Sequence, residues 1–187
     1  MTENANILTT PSVTPSRHQV VALAYDGLCT FEFGVAVEIF GLPRPEMGDN
    51  WYQFAVAAVD EGPLCATGGI RLMTDGGPEL LAQADTIVVP GWRGVDAPVP
   101  EALCAALASA HARGCRIISI CSGVFVLAAA GLLNGRQATT HWRYTAGAAV
   151  PFSADPGGGG RPLRGRCFAD DFRRQRGGDR PLSASGA

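Results

Sequence analysis

The sequence predicts an α/β domain: a mostly parallel sheet with helices packed on both faces. Three observations lead there. Short, solid apolar runs alternate with stretches of helical spacing over residues 18–144, and strands buried on both faces read as such unbroken runs. One run, Arg116–Ile120, passes straight into Cys121-Ser122-Gly123 and then into an apolar helix, the sequence form of a strand-to-helix elbow. At 187 residues and 47% hydrophobic content, the chain holds one domain of about 150 residues and a short appendage, enough to bury roughly two-thirds of its surface.

The elements follow in order. His18–Tyr25 (HQVVALAY) is a buried strand. Phe31–Phe40 carries Phe33, Val37 and Phe40 at helical spacing and is stopped by Gly41 and Pro43. Trp51–Val59 is a second strand, and Leu64–Met73, broken at Gly68-Gly69, is a hairpin. Asp85–Pro90 is a third buried strand ending in Pro90-Gly91. Glu101–Ala112 is an Ala/Leu-rich helix closed by Gly114. Arg116–Ile120 is a further buried strand, and Val124–Ala130 a helix ended by Gly131.

Composition excludes several classes. Net charge is −2, without the basic footprint of a nucleic-acid binder. The apolar runs fall far short of the ~20 residues that cross a bilayer. Met1–Ser16 is a polar tail without a basic-then-apolar signal pattern, which predicts a cytoplasmic protein. The six cysteines form no CxxC pair and no metal-ligand spacing, so they are read as reduced thiols. No cofactor or metal site is expected.

The chain divides into a disordered tail (1–17), the α/β domain (18–144) and a Gly/Arg-rich tail (145–187). In the last part, residues 157–160 are all glycine, seven of the fifteen arginines fall between Arg161 and Arg180, and periodicity vanishes. A disordered basic tail is one reading. Every basic residue is arginine and none is lysine, which points to a GC-rich coding sequence. Shifting the reading frame by one base from Arg161 to Gly186 permits ALYVEDALLTTSAGSAAAIDLCLHLV, whose apolar patterning the written tail lacks. The expectation is a tail translated out of frame from somewhere after Tyr144.

The candidate reactive site gathers at the strand ends. An elbow between strand and helix presents its central side chain beside backbone N–H groups, and a helix start lowers a thiol's pKa. That makes Cys121 the candidate thiolate; a small core cysteine is the alternative. His141, after Ala138-Thr139-Thr140, has strand-like spacing that would return it to the sheet edge beside Cys121; a simply hydrogen-bonded histidine is the alternative. Glu32 follows the first strand, where residues converge on the crevice of an open sheet. A carboxyl among aromatics there can hydrogen-bond a thiolate, or it is an ordinary first-turn acid. Gly91 and Trp92 follow the third buried strand; a backbone N–H there, with that of Ser122, forms an oxyanion or ligand pocket, or else a plain turn.

These residues resemble the ThiJ/PfpI superfamily, cysteine-elbow relatives of class I glutamine amidotransferases, over about Val20–Tyr144. The resemblance implies a three-layer α/β/α sandwich with a flavodoxin-like sheet. It places the family's reactive cysteine on Cys121, its acidic partner on Glu32, its Pro-Gly loop on Pro90, Gly91 and Trp92, and its Thr-Thr-His segment on Thr139, Thr140 and His141. More narrowly, YDGLCTFEFGVAVEIFGLPRPE, VVPGWRG and AGLLNGRQATTHWRY resemble the N-terminal domain of GlxA-like regulators of the AraC/XylS family, and the shifted-frame peptide resembles the segment that completes that domain.

The resemblance implies a ligand-sensing and dimerisation domain, truncated before its helix-turn-helix pair. Its expected partners are a small molecule and a second copy of the chain. DNA would be bound only through the domain missing here. The alternative is a stand-alone cysteine hydrolase, isocyanide hydratase or deglycase that uses Cys121 with Glu32 and His141. A fragment of a broken gene, marginally stable without its last strands, is the third reading.

Overall fold

The computed structural model describes residues 17–48, 51–136 and 138–145. Most of the expected N-terminal tail and the Gly/Arg-rich segment lie outside them. The central sheet has four parallel strands in the order β2-β1-β5-β6: β1 (Gln19–Ala24), β2 (Gln53–Ala58), β5 (Thr86–Pro90) and β6 (Arg116–Ile120). The expected hairpin is a separate antiparallel pair, β3 (Leu64–Cys65) with β4 (Arg71–Leu72). Among the described residues β6 is hydrogen-bonded to a strand on one side only.

Alternation along the strands sorts the core into two faces, since successive side chains point to opposite sides. Val20, Ala22 and Val88 pack with Ala36, Phe33 and Phe40 of the first helical segment. Val21, Leu23, Ile87 and Val89 pack with Leu103, Leu107 and Phe125 on the other face. Helix α1 (Thr30–Ala36) therefore covers one side, and α2 (Glu101–Ala112) and α3 (Val124–Ala129) the other, giving three layers. Apolar residues on both sides of β1 explain its unbroken run: Val20–Tyr25 are all within 1% of full burial.

Helix α2 has the expected bounds, with Leu103, Leu107 and Ala110 buried at i, i+4 and i+7. In α3, Val124–Leu127 are all buried, as in a helix enclosed on every side. Helix α1 is shorter than its spacing suggests: its last turn, Val37–Gly41, widens to a π-helix. A side chain at Gly41 would lie 3.0 Å from the Phe54 ring, so glycine lets β2 approach there. The strand spacing expected before His141 is not realised. Residues 138–141 are irregular and lead into a single helical turn, α4 (Trp142–Thr145).

Order and register prepare a crevice. The chain runs from β1 outward to β2, then returns to β5 on the other side of β1, so the topological switch point lies between β1 and β5. Val88 pairs with Ala22 and Pro90 with Ile120. Carried on, this register brings Tyr25, Gly91 and Cys121 off the sheet at one level.

Candidate functional site

Cys121 is the one non-glycine residue with positive φ among the described residues, at +55°. Left-handed backbone costs an L-residue about 1–2 kcal/mol, and strain of this kind concentrates at functional sites. It arises because extended Ile120 must turn at once into the helical backbone of Gly123 and Val124. Gly123 permits the turn: a Cβ there would lie 2.4 Å from the Val89 carbonyl oxygen, so only hydrogen fits between the elbow and β5.

The loop after β5 is locked to this elbow. Ser122 is 3% exposed, and its Oγ accepts the Trp92 N–H at 2.8 Å and donates to the Trp92 carbonyl at 2.9 Å. The Gly91 N–H is bonded to the Ile120 carbonyl at 3.1 Å. Both loop amides that could have lined the pocket thus have partners within the protein. That of Ser122 faces the Cys121 sulfur.

Glu32 reaches Cys121 from the opposite layer. It stands in the first turn of α1, and its carboxyl hydrogen-bonds the Cys121 thiol. The hairpin holds that turn in place: the Thr30 hydroxyl donates to the Thr67 carbonyl at 2.9 Å, and the Thr67 hydroxyl to the Leu28 carbonyl at 3.1 Å. Burial first, and then the Glu32 hydrogen bond, push the Cys121 thiol above its ordinary pKa; the Ser122 N–H opposes them. The lowering expected from the helix start does not prevail, because a partly buried sulfur beside a carboxylate is favoured in its neutral form.

Of the Thr-Thr-His segment, Thr140 reaches the elbow, its hydroxyl donating to the Cys121 carbonyl at 3.0 Å. His141 follows it, with its ring 6.2 Å from that of Tyr144 and 5.2 Å from that of Trp142.

The structure adds three residues that sequence reasoning passed over. Tyr25, fully buried, donates to the Pro90 carbonyl at 3.0 Å. Burial, and then a hydrogen bond with Cys29, raise its pKa far above the ordinary phenol value. Cys29 caps α1, and its Sγ lies 3.0 Å from where a Gly91 side chain would begin. Its spacing to Glu32, one helical turn, was the available signal. Arg93 closes the rim, stacked on Trp92 at 4.7 Å and Tyr25 at 5.3 Å, ion-paired with Asp60. A separate groove, lined by His18, Asp85, Arg113 and Arg116 among others, opens at the other end of the strands and holds none of this group.

Residues 18–152 match the DJ-1/PfpI family. A protein of Streptomyces lividans encoded in the cpoL 5′ region is 36% identical over 135 residues, 72% of this chain and 94% of that protein. The HTH-type transcriptional regulator CdhR of Pseudomonas aeruginosa is 39% identical over 92 residues, 49% of this chain and 27% of the regulator. The isonitrile hydratase of Pseudomonas putida is 36% identical over 83 residues, 44% of this chain and 36% of the enzyme. A crystal structure assigned as a transcriptional regulator from Vibrio parahaemolyticus superposes with a TM-score of 0.61 at 25% identity, covering 70% of each chain. The chain spans about a quarter of CdhR, and its three-layer fold and cysteine elbow accompany a family match over most of its length: it belongs to the DJ-1/PfpI family.

Proposed function

We propose that this chain is the ligand-sensing and dimerisation domain of a GlxA-like, AraC-type transcriptional regulator, and that it works in the cytoplasm. The observation that carries the reading is the use of the pocket's amides. An acyl-transfer site needs donors aimed at a developing oxyanion, and here the Gly91 and Trp92 N–H groups are bonded to Ile120 and Ser122. With its thiol held neutral at rest by burial and Glu32, Cys121 suits a sensing pocket better than acyl transfer. The likeness to CdhR supports this, and Phe31, Ile39 and Met47, all exposed, are apolar surface for a second copy.

The test is made on the gene and on the protein. The coding DNA downstream, read in the shifted frame, is expected to encode two helix-turn-helix units. The frame-restored protein is expected to bind its own upstream DNA with an affinity that a small metabolite changes. Absence of helix-turn-helix units in every frame would remove the reading.

A hydratase is the second reading, favoured by the Cys121–Glu32 hydrogen bond, which supplies a nucleophile and an acid/base in contact. Isonitriles, glyoxals and amides are its probes. Turnover abolished by Cys121→Ser would establish the enzyme; no turnover favours the regulator.

A further inference from the structure

We propose that Cys29 is the resolving thiol of Cys121, so that peroxide closes a Cys29–Cys121 disulfide across the pocket. This rests on Cys121 being the reactive group of the sensing site and names how that site would register oxidation.

The two cysteines come from opposite walls of one crevice. Cys29 is the residue before α1, one helical turn ahead of Glu32, and Glu32 hydrogen-bonds Cys121. The Cys29 sulfur fills the notch left by Gly91, whose φ is +78°; a side chain there would begin 3.0 Å from Sγ. The backbone of that notch is bonded to Ile120, the neighbour of Cys121, at 3.1 Å. The register that pairs Pro90 with Ile120 sets Gly91 level with Cys121, so the notch that holds the Cys29 sulfur adjoins the elbow. Both are partly exposed free thiols, within reach of a small oxidant. Among the described residues no group of three His, Cys, Asp or Glu side chains is placed to hold a metal ion, so the pair is read as a dithiol.

The chemistry balances in two steps. The Cys121 sulfur attacks one oxygen of hydrogen peroxide and the O–O bond breaks. Glu32 accepts the thiol proton and returns it to the departing hydroxide, which leaves as water; Cys121 becomes a sulfenic acid. The Cys29 sulfur then attacks the sulfenic sulfur, the S–O bond breaks, and the hydroxyl leaves with the Cys29 proton as a second water. The dithiol is oxidised by two electrons and the peroxide is reduced.

The experiment treats the full chain with hydrogen peroxide, blocks remaining thiols and maps peptides by mass spectrometry without reduction. The expected product is an intramolecular Cys29–Cys121 link, lighter by two hydrogens and reversed by dithiothreitol. In Cys29→Ser, Cys121 is expected to pass to sulfinic acid instead, which dithiothreitol does not reverse. Sulfinic Cys121 in the wild-type chain with Cys29 still alkylatable would overturn the proposal, as would a Cys121 link to any other cysteine. Either result leaves the ligand-sensing reading to its own DNA and metabolite tests.

Discussion

Ser122 and Trp92 exchange two hydrogen bonds through a single hydroxyl, which accepts from the Trp92 N–H at 2.8 Å and donates to its carbonyl at 2.9 Å. This clamp sets the distance between the cysteine elbow and the loop after β5. Both residues are at least 97% buried, so water does not replace a lost partner. Ser122→Ala strands a donor and an acceptor at about 1–3 kcal/mol each. We expect a loss of about 2–4 kcal/mol, read as a lower urea midpoint at unchanged m-value.

Gly123→Ala tests the close approach of elbow and sheet. Its Cβ would lie 2.4 Å from a backbone carbonyl of a central strand, and backbone cannot swing aside as a side chain end can. The expected cost is about 3 kcal/mol, the upper end of overpacking penalties. A measured cost below about 1 kcal/mol would show that the elbow has room to move.

Strain at Cys121 gives an opposite sign. Glycine adopts φ of +55° freely, so Cys121→Gly relieves about 1–2 kcal/mol of left-handed strain. A more flexible unfolded chain offsets about 0.4–1 kcal/mol of it. The variant is expected to be more stable than wild type by about 0.5–1 kcal/mol, while losing all alkylation at this position. Thermal unfolding and iodoacetamide labelling measure the two effects.

Burial is the largest cause of the raised Cys121 pKa and the Glu32 hydrogen bond the next; the Ser122 N–H opposes them, and the Glu32 charge adds a smaller rise. Removing the charge with Glu32→Gln should shift the pH profile of Cys121 alkylation to lower pH and speed labelling at pH 7. Unchanged or slower labelling would mean that the carboxyl favours the thiolate.

Cys104, Cys115, Cys121 and Tyr25 all have pKa values raised chiefly by burial. Each is neutral when protonated, so the folded state holds these protons more tightly than the unfolded chain. Their stabilisation is complete below the unfolded thiol value of about 8.5 and is lost as pH rises through the folded values. The urea midpoint should be level from about pH 6 to 8 and fall above that. Cys115→Ala should flatten the fall.

The layers and the elbow were legible in the sequence because they rest on local pattern. The unbroken run of β1 reflects burial on both faces, and Arg116–Ile120 followed by Cys-Ser-Gly states its own turn. Residues 138–141 were not: their alternation resembles a strand, but the Thr140 hydroxyl binds the Cys121 carbonyl and α4 begins just beyond. Alternation alone does not supply a neighbouring strand to pair with.

Sequence by itself determined which residues could be strands, where the thiol would turn out of the sheet, and that an acid follows the first strand. Tertiary structure decided the chemistry of the site. It determined that Glu32 touches Cys121, that Ser122 takes the Trp92 amide, and that Cys29 fills the Gly91 notch. Burial and hydrogen-bond partners come from segments up to about ninety residues apart, as between Glu32 and Cys121. They set a proton's affinity only once the sheet has brought those segments to one edge.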